Sequence, residues 1–371
     1  MSGISKGTLC VPGRVNLMGD HIDYLGFDVL PMAIDRAVEI EYVALDRPFV
    51  EARSRAIGES IEFELDCNLE PVGAGAEAGA EAGHWSNYIR AAGRWMACRS
   101  PDANGVAIDI RSRIPAAAGL SSSSAVVIGT ALALLKANGV DVDPMRLARE
   151  LAEAERFVGT LGGGMDQAVC LMGRAGHACR IGFDPLSVDH VRIPDDWVFI
   201  VADSGIRAAK SGANQDAYNE RAVVTRSAVQ RLARAGVLTI DAVRALEPRE
   251  RAYLRHAMTE RDHVVAAATA LAEDDIGAFG SLMTKSHDSL RNDCGVSCFE
   301  LDMLVEAAVA GGAEGARLTG AGMGGCIVAL TTRDQAAAVL DYIEVVQGET
   351  SMRGSGTFVV EASDGALAVR D

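Results

Sequence analysis

Residues 114–139 read IPAAAGLSSSSAVVIGTALALLKANG, a loop of small residues followed by an apolar run. Pro115 and Gly119 interrupt any preceding element, whereas the serines at 121–124 suit the start of a helix. The apolar run that follows predicts a buried helix that ends at Asn138–Gly139. A loop of small residues that leads into a helix can bind an anion, because its backbone N–H groups and the helix dipole point at the ligand. The stretch therefore predicts a phosphate-binding loop.

This loop is not an ordinary P-loop, because it lacks the Gly-Lys-Ser/Thr arrangement. A Gly/Ser linker in front of a core helix also accounts for the stretch when it is taken alone. Phosphate binding therefore needs support from the rest of the chain.

The overall composition limits the classes of ligand. The chain carries 35 Lys+Arg and 51 Asp+Glu, a formal net charge of −16 at pH 7. Such a surface repels nucleic acid and anionic membranes. It still allows small phosphorylated molecules, since local N–H groups, an arginine or a metal ion can offset the global charge. We expect small-molecule ligands, no nucleic acid, no membrane and no obligate protein partner.

The length and the cysteines give further expectations. A chain of 371 residues suits two domains, and the polar break at 194–196 places them at 1–195 and 196–371. The eight cysteines are scattered, which predicts reduced thiols. The N-terminus lacks a signal-type apolar region, and no run reaches the roughly 18 apolar residues of a membrane helix. We therefore expect a soluble, cytoplasmic protein.

Periodicity and turn residues predict a mixture of strands and helices. Strands are predicted at 37–44, 60–65, 106–110, 177–181, 197–202 and 357–362, with one more after residue 325. Helices are predicted at 84–98, 121–138, 144–158, 214–235, 239–245, 249–272, 275–290, 298–311 and 333–344, with one more near residue 166. The low-complexity residues 72–83 predict a flexible surface loop.

Polar residues gather in the segment PGRVNLMGDHIDYLG at 12–26. Arg14, Asp20, His21 and Asp23 lie between glycines there, which is typical of a site-forming loop between two strands. An ordinary solvated loop would carry the same residue types.

Two further glycine-rich segments follow. GTLGGGMDQ at 159–167 places Asp166 at the start of a helix after three consecutive glycines. Such a run indicates a close approach of another group, although an ordinary helix cap would also explain the aspartate. RLTGAGMGGCIVAL at 317–330 is the other segment, and it leads into a strand.

These segments, in this order, resemble the GHMP kinases, and specifically their galactokinase branch. The resemblance covers nearly the whole chain and rests on these motifs: 13–17 with 30–31, 115–125, 286–287, 290–291, 297–302 and 317–326. The residues 21–24, Ser124, 155–159 and 162–166 make it most similar to N-acetylgalactosamine kinases and fungal galactokinases. It implies an α+β fold, with an N-terminal domain like ribosomal protein S5 domain 2, a ferredoxin-like C-terminal domain and the active site between them.

The resemblance also implies a reaction, the transfer of a phosphoryl group from ATP to the 1-hydroxyl of galactose. Asp166 would take the proton from this hydroxyl, and Arg14 would hold Asp166 ionised and offset charge on the transferred group. Both residues would also contact the sugar. The other sugar contacts would come from Asp20, His21, Asp23, the Gly163 backbone and Tyr218.

Nucleotide and metal contacts are implied in the same way. The ATP phosphates would lie on the serine loop, formed by Gly119, Leu120, Ser121, Ser122, Ser123 and Ser124. Lys210 would reach the nucleotide, and Trp85 and Asn87 would border the adenine, although a core aromatic is the favoured interpretation of Trp85. Ser123 would supply the hydroxyl ligand of Mg²⁺ and Glu155 its carboxylate, while an ungapped comparison places Ala154 at the latter position.

The sequence also departs from the pattern of the family. Asp20 stands where the family usually has Glu, Leu25 and Phe27 replace small or polar residues, and Ala117 replaces a frequent loop glycine. These changes leave the sugar open: galactose is expected first, with N-acetylgalactosamine, galacturonate or arabinose as alternatives. A sensor that binds sugar and ATP without turnover is the alternative from another class, and the intact Arg14, Asp166 and serine loop argue against it.

Overall fold

The computed structural model describes residues 5–72, 84–115, 118–207, 213–234, 243–350, 352 and 355–368. Most of the predicted loop at 72–83, most of the predicted helix at 239–245 and Lys210 lie outside these residues.

A five-stranded sheet forms the first part of the fold. Its strands are β1 (Lys6–Met18), β2 (Leu30–Ala44), β3 (Phe49–Ser54), β4 (Glu59–Glu64) and β5 (Val106–Ser112). They lie in the order β1-β2-β5-β3-β4, and β3 pairs with β5 in parallel while the other neighbours are antiparallel.

The prediction of a loop at 12–18 is wrong, because these residues belong to strand β1. Every residue from Val11 to Met18 is buried, so the polar and apolar alternation that signals a strand is missing. Register shifts at Pro12/Arg14 and Asn16/Met18 interrupt its pairing with β2. Such irregularities turn side chains away from the regular pattern of a strand. Only residues 19–29 form the loop that joins β1 to β2. Strand β3 was not predicted.

Four helices accompany this sheet, namely α1 (Ser86–Arg99), α2 (Ser122–Ala137), α3 (Pro144–Glu155) and α4 (Met165–Met172). Helices α2 and α4 pack on its strands, and α1 and α3 pack on these two helices. Helix α2 is the buried helix that the serine stretch predicts. A Cβ on its Gly129 would lie only 2.4 Å from Ile40 Cδ1, so only glycine lets the helix approach β2 so closely.

The second half contains a hairpin and a four-stranded antiparallel sheet. The hairpin consists of β6 (His177–Phe183) and β7 (Leu186–Arg192), of which β7 was not predicted. The sheet contains β8 (Trp197–Asp203), β9 (Gly315–Thr319), β10 (Cys326–Thr332) and β11 (Thr357–Val360), in the order β11-β8-β10-β9. The helices are α5 (Ala213–Arg234), α6 (Pro248–Ala272), α7 (Ile276–Ser289), α8 (Phe299–Ala310) and α9 (Ala336–Gly348).

The α+β architecture is therefore confirmed. The chain end returns to the first sheet, where the Ser363 N–H donates to the Ala33 carbonyl (3.0 Å). Packing thus crosses the predicted boundary at residue 195, and the domain division stays a prediction. No helix in the described ranges is long and apolar enough to cross a membrane.

One cysteine prediction is wrong, because Cys67 and Cys98 form a disulfide. The segment after β4 runs back along α1, which brings the two Cα atoms within 4.7 Å despite a separation of 31 residues. The spacing of the cysteines in the sequence carries no sign of this approach. The other six cysteines are free thiols, as predicted.

Candidate active site

The glycine-rich segments meet at one cavity. Four carboxylates and two arginines line it among the described residues, namely Asp20, Asp23, Glu155, Asp166, Arg14 and Arg221. Tyr218, Gln215 and backbone of the third turn complete the wall. The carboxylates outnumber the arginines, so the cavity attracts cations.

The serine loop enters α2 through an unusual backbone. Gly119 (φ +75°) and Ser121 (φ +62°) both adopt the left-handed conformation, and the helix begins at Ser122. The first N–H groups of a helix have no acceptor within it, so they can bind an anion. The Ser121 hydroxyl is buried and lacks a hydrogen-bond partner in the described structure. Such a group is costly unless a ligand or water pairs with it.

The third glycine-rich turn packs directly on this loop. A Cβ on Gly320 would lie 2.7 Å from the Gly119 carbonyl oxygen, and one on Gly325 would lie 3.0 Å from the Ala118 carbonyl oxygen. Side chains at these positions would push the two loops apart, which explains why the turn is rich in glycine.

Arg14 and Asp166 form the central ion pair. Arg14 Nε and Nη2 lie 2.8 and 2.7 Å from Asp166 Oδ1, and Nη1 donates to the Gly119 carbonyl. Burial is the largest effect on the pKa of Arg14 and lowers it, but the charges of Asp166 and Asp20 leave that pKa above its usual value. Arg14 is therefore a permanent cation that joins Asp166 to the serine loop.

Ser124 and Glu155 lie beside this pair. The buried Ser124 hydroxyl donates to Glu155 Oε2 (2.8 Å) and lies 3.5 Å from Asp166 Oδ2. Gln167 Nε2 also donates to Glu155 Oε2. The Ser124 hydroxyl thus lies close to two carboxylates that line the cavity, those of Glu155 and Asp166.

The loop between β1 and β2 carries His21 and Asp23 into the cavity. Asp23 Oδ2 accepts from the Gly163 N–H (2.9 Å), and a Cβ on Gly163 would lie 2.3 Å from the Asp23 carbonyl carbon. Burial and the nearby charge of Asp166 raise the pKa of Asp23. His21 lies against Tyr218, with 5.3 Å between ring centroids. Burial lowers the pKa of His21 to about 3, so His21 is neutral at physiological pH.

Asp20 is held from behind by the third motif. Its Oδ2 lies 2.6 Å from Arg317 Nη2, and its Oδ1 accepts from the Gly320 N–H (3.2 Å). Burial raises the pKa of Asp20 to about 6, although Arg317 opposes this shift. Arg317 is fully buried and also donates to the Leu17 carbonyl (3.0 Å).

Helix α5 holds the glycine segment that precedes Asp166. Gln215 Nε2 donates to the Val158 carbonyl (2.8 Å), and Asn219 Nδ2 donates to the Gly159 carbonyl (2.7 Å). Tyr218 lies between these two side chains in the sequence and lines the cavity. Burial raises the pKa of Tyr218 well above its usual value, so its hydroxyl keeps its proton.

Comparison with known proteins gives the family. The model of the GHMP kinase N-terminal domain matches residues 87–174, the model of the C-terminal domain matches 267–345, and the galactokinase galactose-binding signature matches 3–42. Galactokinase from Chloroflexus aurantiacus is 35% identical over 376 residues, which cover 95% of this chain and 93% of the relative. The chain belongs to the galactokinase family. It is thus a sugar kinase that uses ATP.

Other relatives agree with the family assignment. Galactokinase from Thermococcus kodakarensis is 31% identical, with 96% of this chain and 99% of the relative covered. The crystal structure of Lactococcus lactis galactokinase complexed with galactose superposes with a TM-score of 0.84 at 26% identity, over 97% of this chain and 94% of that one. Mevalonate kinase from Methanococcus jannaschii shares the fold, with a TM-score of 0.68 at 20% identity and coverage of 97% and 99%.

The cavity gathers most residues that the galactokinase resemblance implies, although their individual roles stay predictions. Arg14, Asp20, His21, Asp23, Gly119, Glu155, Asp166 and Tyr218 all line it. The Gly163 N–H is bound to Asp23, and the Leu120 carbonyl accepts from the Arg14 N–H (3.2 Å). Ser122 and Ser123 are half-buried at the start of α2. Lys210 lies outside the described residues.

Trp85 and Asn87 are not among the residues that line this cavity. Trp85 Nε1 donates to Glu59 Oε2 (2.7 Å) on the edge strand β4. Asn87 pairs with both backbone groups of Val72 at 2.8 and 3.2 Å, so its amide is bound to the segment after β4. Their predicted contact with adenine therefore stays a prediction without support from this cavity.

Sequence reasoning missed the residues that support the galactokinase site from behind, chiefly Arg317, Glu260 and His256. All three are buried. A signal was available, because His256 and Glu260 lie on the face of α6 that also contains the buried Tyr253, Leu254, Ala257 and Val264. Charged or polar residues on the apolar face of a helix indicate buried partners.

Proposed function

We propose that the protein transfers the γ-phosphoryl group of ATP to the 1-hydroxyl of galactose. The observation that carries this proposal is the Arg14–Asp166 ion pair, with Nη2 2.7 Å from Oδ1, in a cavity bordered by the helical serine loop and the His21–Asp23 loop. The galactose-binding signature at 3–42 and the galactokinase relatives support galactose as the sugar.

Asp166 is the proposed base. Arg14 binds its Oδ1 through two N–H groups, which orients the carboxylate in the wall of the cavity. An aspartate is a weak base for a hydroxyl group, but a loose transition state requires proton removal only late in the reaction. Catalysis then depends on alignment and on charge neutralisation, and Arg14 contributes to both.

Ser124 and Glu155 fit a magnesium ion. A hydroxyl and a carboxylate 2.8 Å apart supply the hard oxygen ligands that Mg²⁺ prefers, in an acidic corner beside the start of α2. When bound, Mg²⁺ would neutralise charge on the phosphates. Ser123 stays a candidate for the hydroxyl ligand, and Ser124 joins it because of its contact with Glu155.

His21, Asp23 and Tyr218 are the proposed partners of the sugar hydroxyls. His21 and Tyr218 have neutral side chains because burial shifts the pKa of each, and Asp23 offers carboxylate oxygens. Both carboxylate oxygens of Asp20 already accept a hydrogen bond, one from Arg317 and one from the Gly320 N–H, so Asp20 would contribute its remaining lone pairs to the sugar. Polar groups placed in this way favour the sugar epimer whose hydroxyl groups can form hydrogen bonds with them, because another epimer would leave some of them unpaired.

A panel of sugars tests this function. With Mg-ATP, kcat/KM should be highest for galactose and at least tenfold lower for N-acetylgalactosamine, galacturonate, arabinose and glucose, and phosphorus NMR should place the phosphate at the 1-position. A tenfold preference for N-acetylgalactosamine would replace the sugar but keep the mechanism. Phosphate at the 6-position would contradict the geometry, and binding without turnover would indicate a sensor.

The setting of the reaction belongs to the same proposal. We propose that the protein works in the cytoplasm on small molecules, without an obligate protein partner, which its net charge of −16 supports by disfavouring polyanions and anionic membranes. Fractionation of the source cells and the mass of the purified protein in solution would test both points.

A further inference from the structure

Two side chains of α6 bind the backbone of the loop that carries His21, at the two ends of the Gly19–Asp20 dipeptide. Glu260 Oε1 accepts from the Gly19 N–H (2.8 Å), and His256 Nε2 donates to the Asp20 carbonyl (3.0 Å). His256 and Glu260 are four residues apart, so they project from the same face of the helix. Neither residue is among the predicted contacts of the sugar or of ATP, but both bind the backbone of the loop that carries His21.

The backbone that they hold is strained. Gly19 has φ +104° and His21 has φ +62°, and the second value is unusual for a residue with a side chain. Rotation of the peptide unit between Asp20 and His21 changes φ of His21, and the carbonyl of this unit is the one that binds His256. The hydrogen bond from His256 therefore opposes relaxation of His21 to an ordinary conformation.

Both α6 side chains are themselves oriented by neighbours. The Asp20 carbonyl can only accept, so His256 Nε2 carries the proton that binds it, and Nδ1 of the neutral ring lies 2.9 Å from the Ser289 hydroxyl. Burial lowers the pKa of His256, which keeps the ring neutral. Glu260 accepts from the Ser286 hydroxyl at 2.7 Å and lies 3.4 Å from Arg317 Nη1. The geometry of α6 is thus fixed from its far side by α7.

We propose that His256 and Glu260 are positioning residues for the sugar, which hold the Gly19 N–H and the Asp20 carbonyl, the two ends of the Gly19–Asp20 dipeptide, and keep His21 in its left-handed conformation beside Tyr218. This inference rests on the proposed function. It assigns to α6 control of sugar affinity, separate from the serine loop, which binds ATP. Loss of the His256 bond should weaken sugar binding and leave the affinity for ATP unchanged.

A matched pair of variants tests this role. The amide nitrogen of glutamine can replace imidazole Nε2, whereas asparagine reaches only as far as Nδ1. His256→Gln therefore retains the bond to Asp20 and loses the bond to Ser289, and His256→Asn does the reverse. Both variants lose the ring, so any shared effect reports on packing alone.

The measurements are calorimetric titration of galactose without nucleotide, KM for galactose and for ATP, kcat, and the melting temperature. His256→Asn should raise the galactose Kd and KM about tenfold, the effect of losing about 1.4 kcal/mol of binding free energy. His256→Gln should stay within about threefold of the natural protein, and KM for ATP should stay within about twofold in both.

Other outcomes overturn the proposal. Equal galactose affinities in the two variants, or parallel changes in both KM values, would show that His256 only stabilises the fold. If His256→Asn does not fold, His256→Leu replaces it, because leucine removes the donor to the Asp20 carbonyl and keeps much of the side-chain volume. An unchanged galactose Kd in His256→Leu would then refute the inference. Failure of the natural protein to bind galactose would instead refute the proposed function.

Discussion

Replacing Arg14 by methionine tests how the ion pair is built. The substitution keeps much of the side-chain volume but removes both N–H donors to Asp166 Oδ1 and the donor to the Gly119 carbonyl. Asp166 then lacks its guanidinium partner but remains beside Asp23, whose pKa is raised by the charge of Asp166. The variant therefore leaves a largely buried carboxylate without its main compensating charge.

The magnitude follows from the burial of the two partners. Breaking a buried ion pair costs about 3–5 kcal/mol of the free energy of unfolding. Arg14 is only 4% exposed, but Asp166 is 16% exposed, so water can solvate it in part and the lower end, about 3 kcal/mol, is expected. Loss of the charge next to the transferred group should also lower kcat by about 10²–10³.

Urea denaturation measures the stability, and single-turnover kinetics measures the rate. Arg14→Lys is the control, because lysine keeps the charge but cannot bind Asp166 through two N–H groups and Gly119 through a third. It should lose less stability than Arg14→Met and retain an intermediate rate. If Arg14→Met stays within about 1 kcal/mol and threefold of the natural protein, the proposed role of the pair is wrong.

Two further predictions concern pH and magnesium. Burial lowers the pKa of His21 to about 3, so the unfolded chain binds a proton below pH 6.5 that the folded chain rejects, and stability falls as the pH drops from 6.5 towards 3. Between pH 7 and pH 5 this effect lowers the free energy of unfolding by about 2 kcal/mol. Measured by urea denaturation, His21→Gln should lose about 2 kcal/mol less over this range than the natural protein. Equal losses in the two proteins would contradict the burial of a neutral His21. Ser124→Ala should raise the Mg²⁺ concentration for half-maximal activity about tenfold and leave galactose affinity without nucleotide unchanged, whereas an effect confined to Ser123→Ala would assign the ligand to Ser123.

The local chemistry of the sequence predicts much of the site. The serine stretch predicts α2 and its entry loop because a helix start and a buried apolar run leave a local pattern. The three glycines before Asp166 indicate a close approach, and the structure shows that Gly163 packs against the Asp23 backbone. Most strands and helices are likewise predicted, since their periodicity is local.

The remaining features depend on contacts between distant parts of the chain. The ion pair of Asp20 with Arg317 joins residues 297 positions apart, so the sequence does not show that one edge of Asp20 is already occupied. Strand β1 has no alternation from Val11 onward because both faces of this part are buried, and its polar residues therefore suggested a loop. The disulfide between Cys67 and Cys98 depends on how the segment after β4 lies along α1.

The central claim is that Asp166 accepts the proton of the sugar hydroxyl, and Asp166→Asn tests it most directly. Asparagine keeps the volume and can still accept a hydrogen bond from Arg14, but it cannot take up the proton. Rapid-quench measurement of a single turnover with galactose and Mg-ATP should show a rate lower by about 10²–10⁴, with the galactose Kd within about threefold of the natural value. A single-turnover rate within tenfold of the natural protein, at unchanged galactose affinity, would contradict the account.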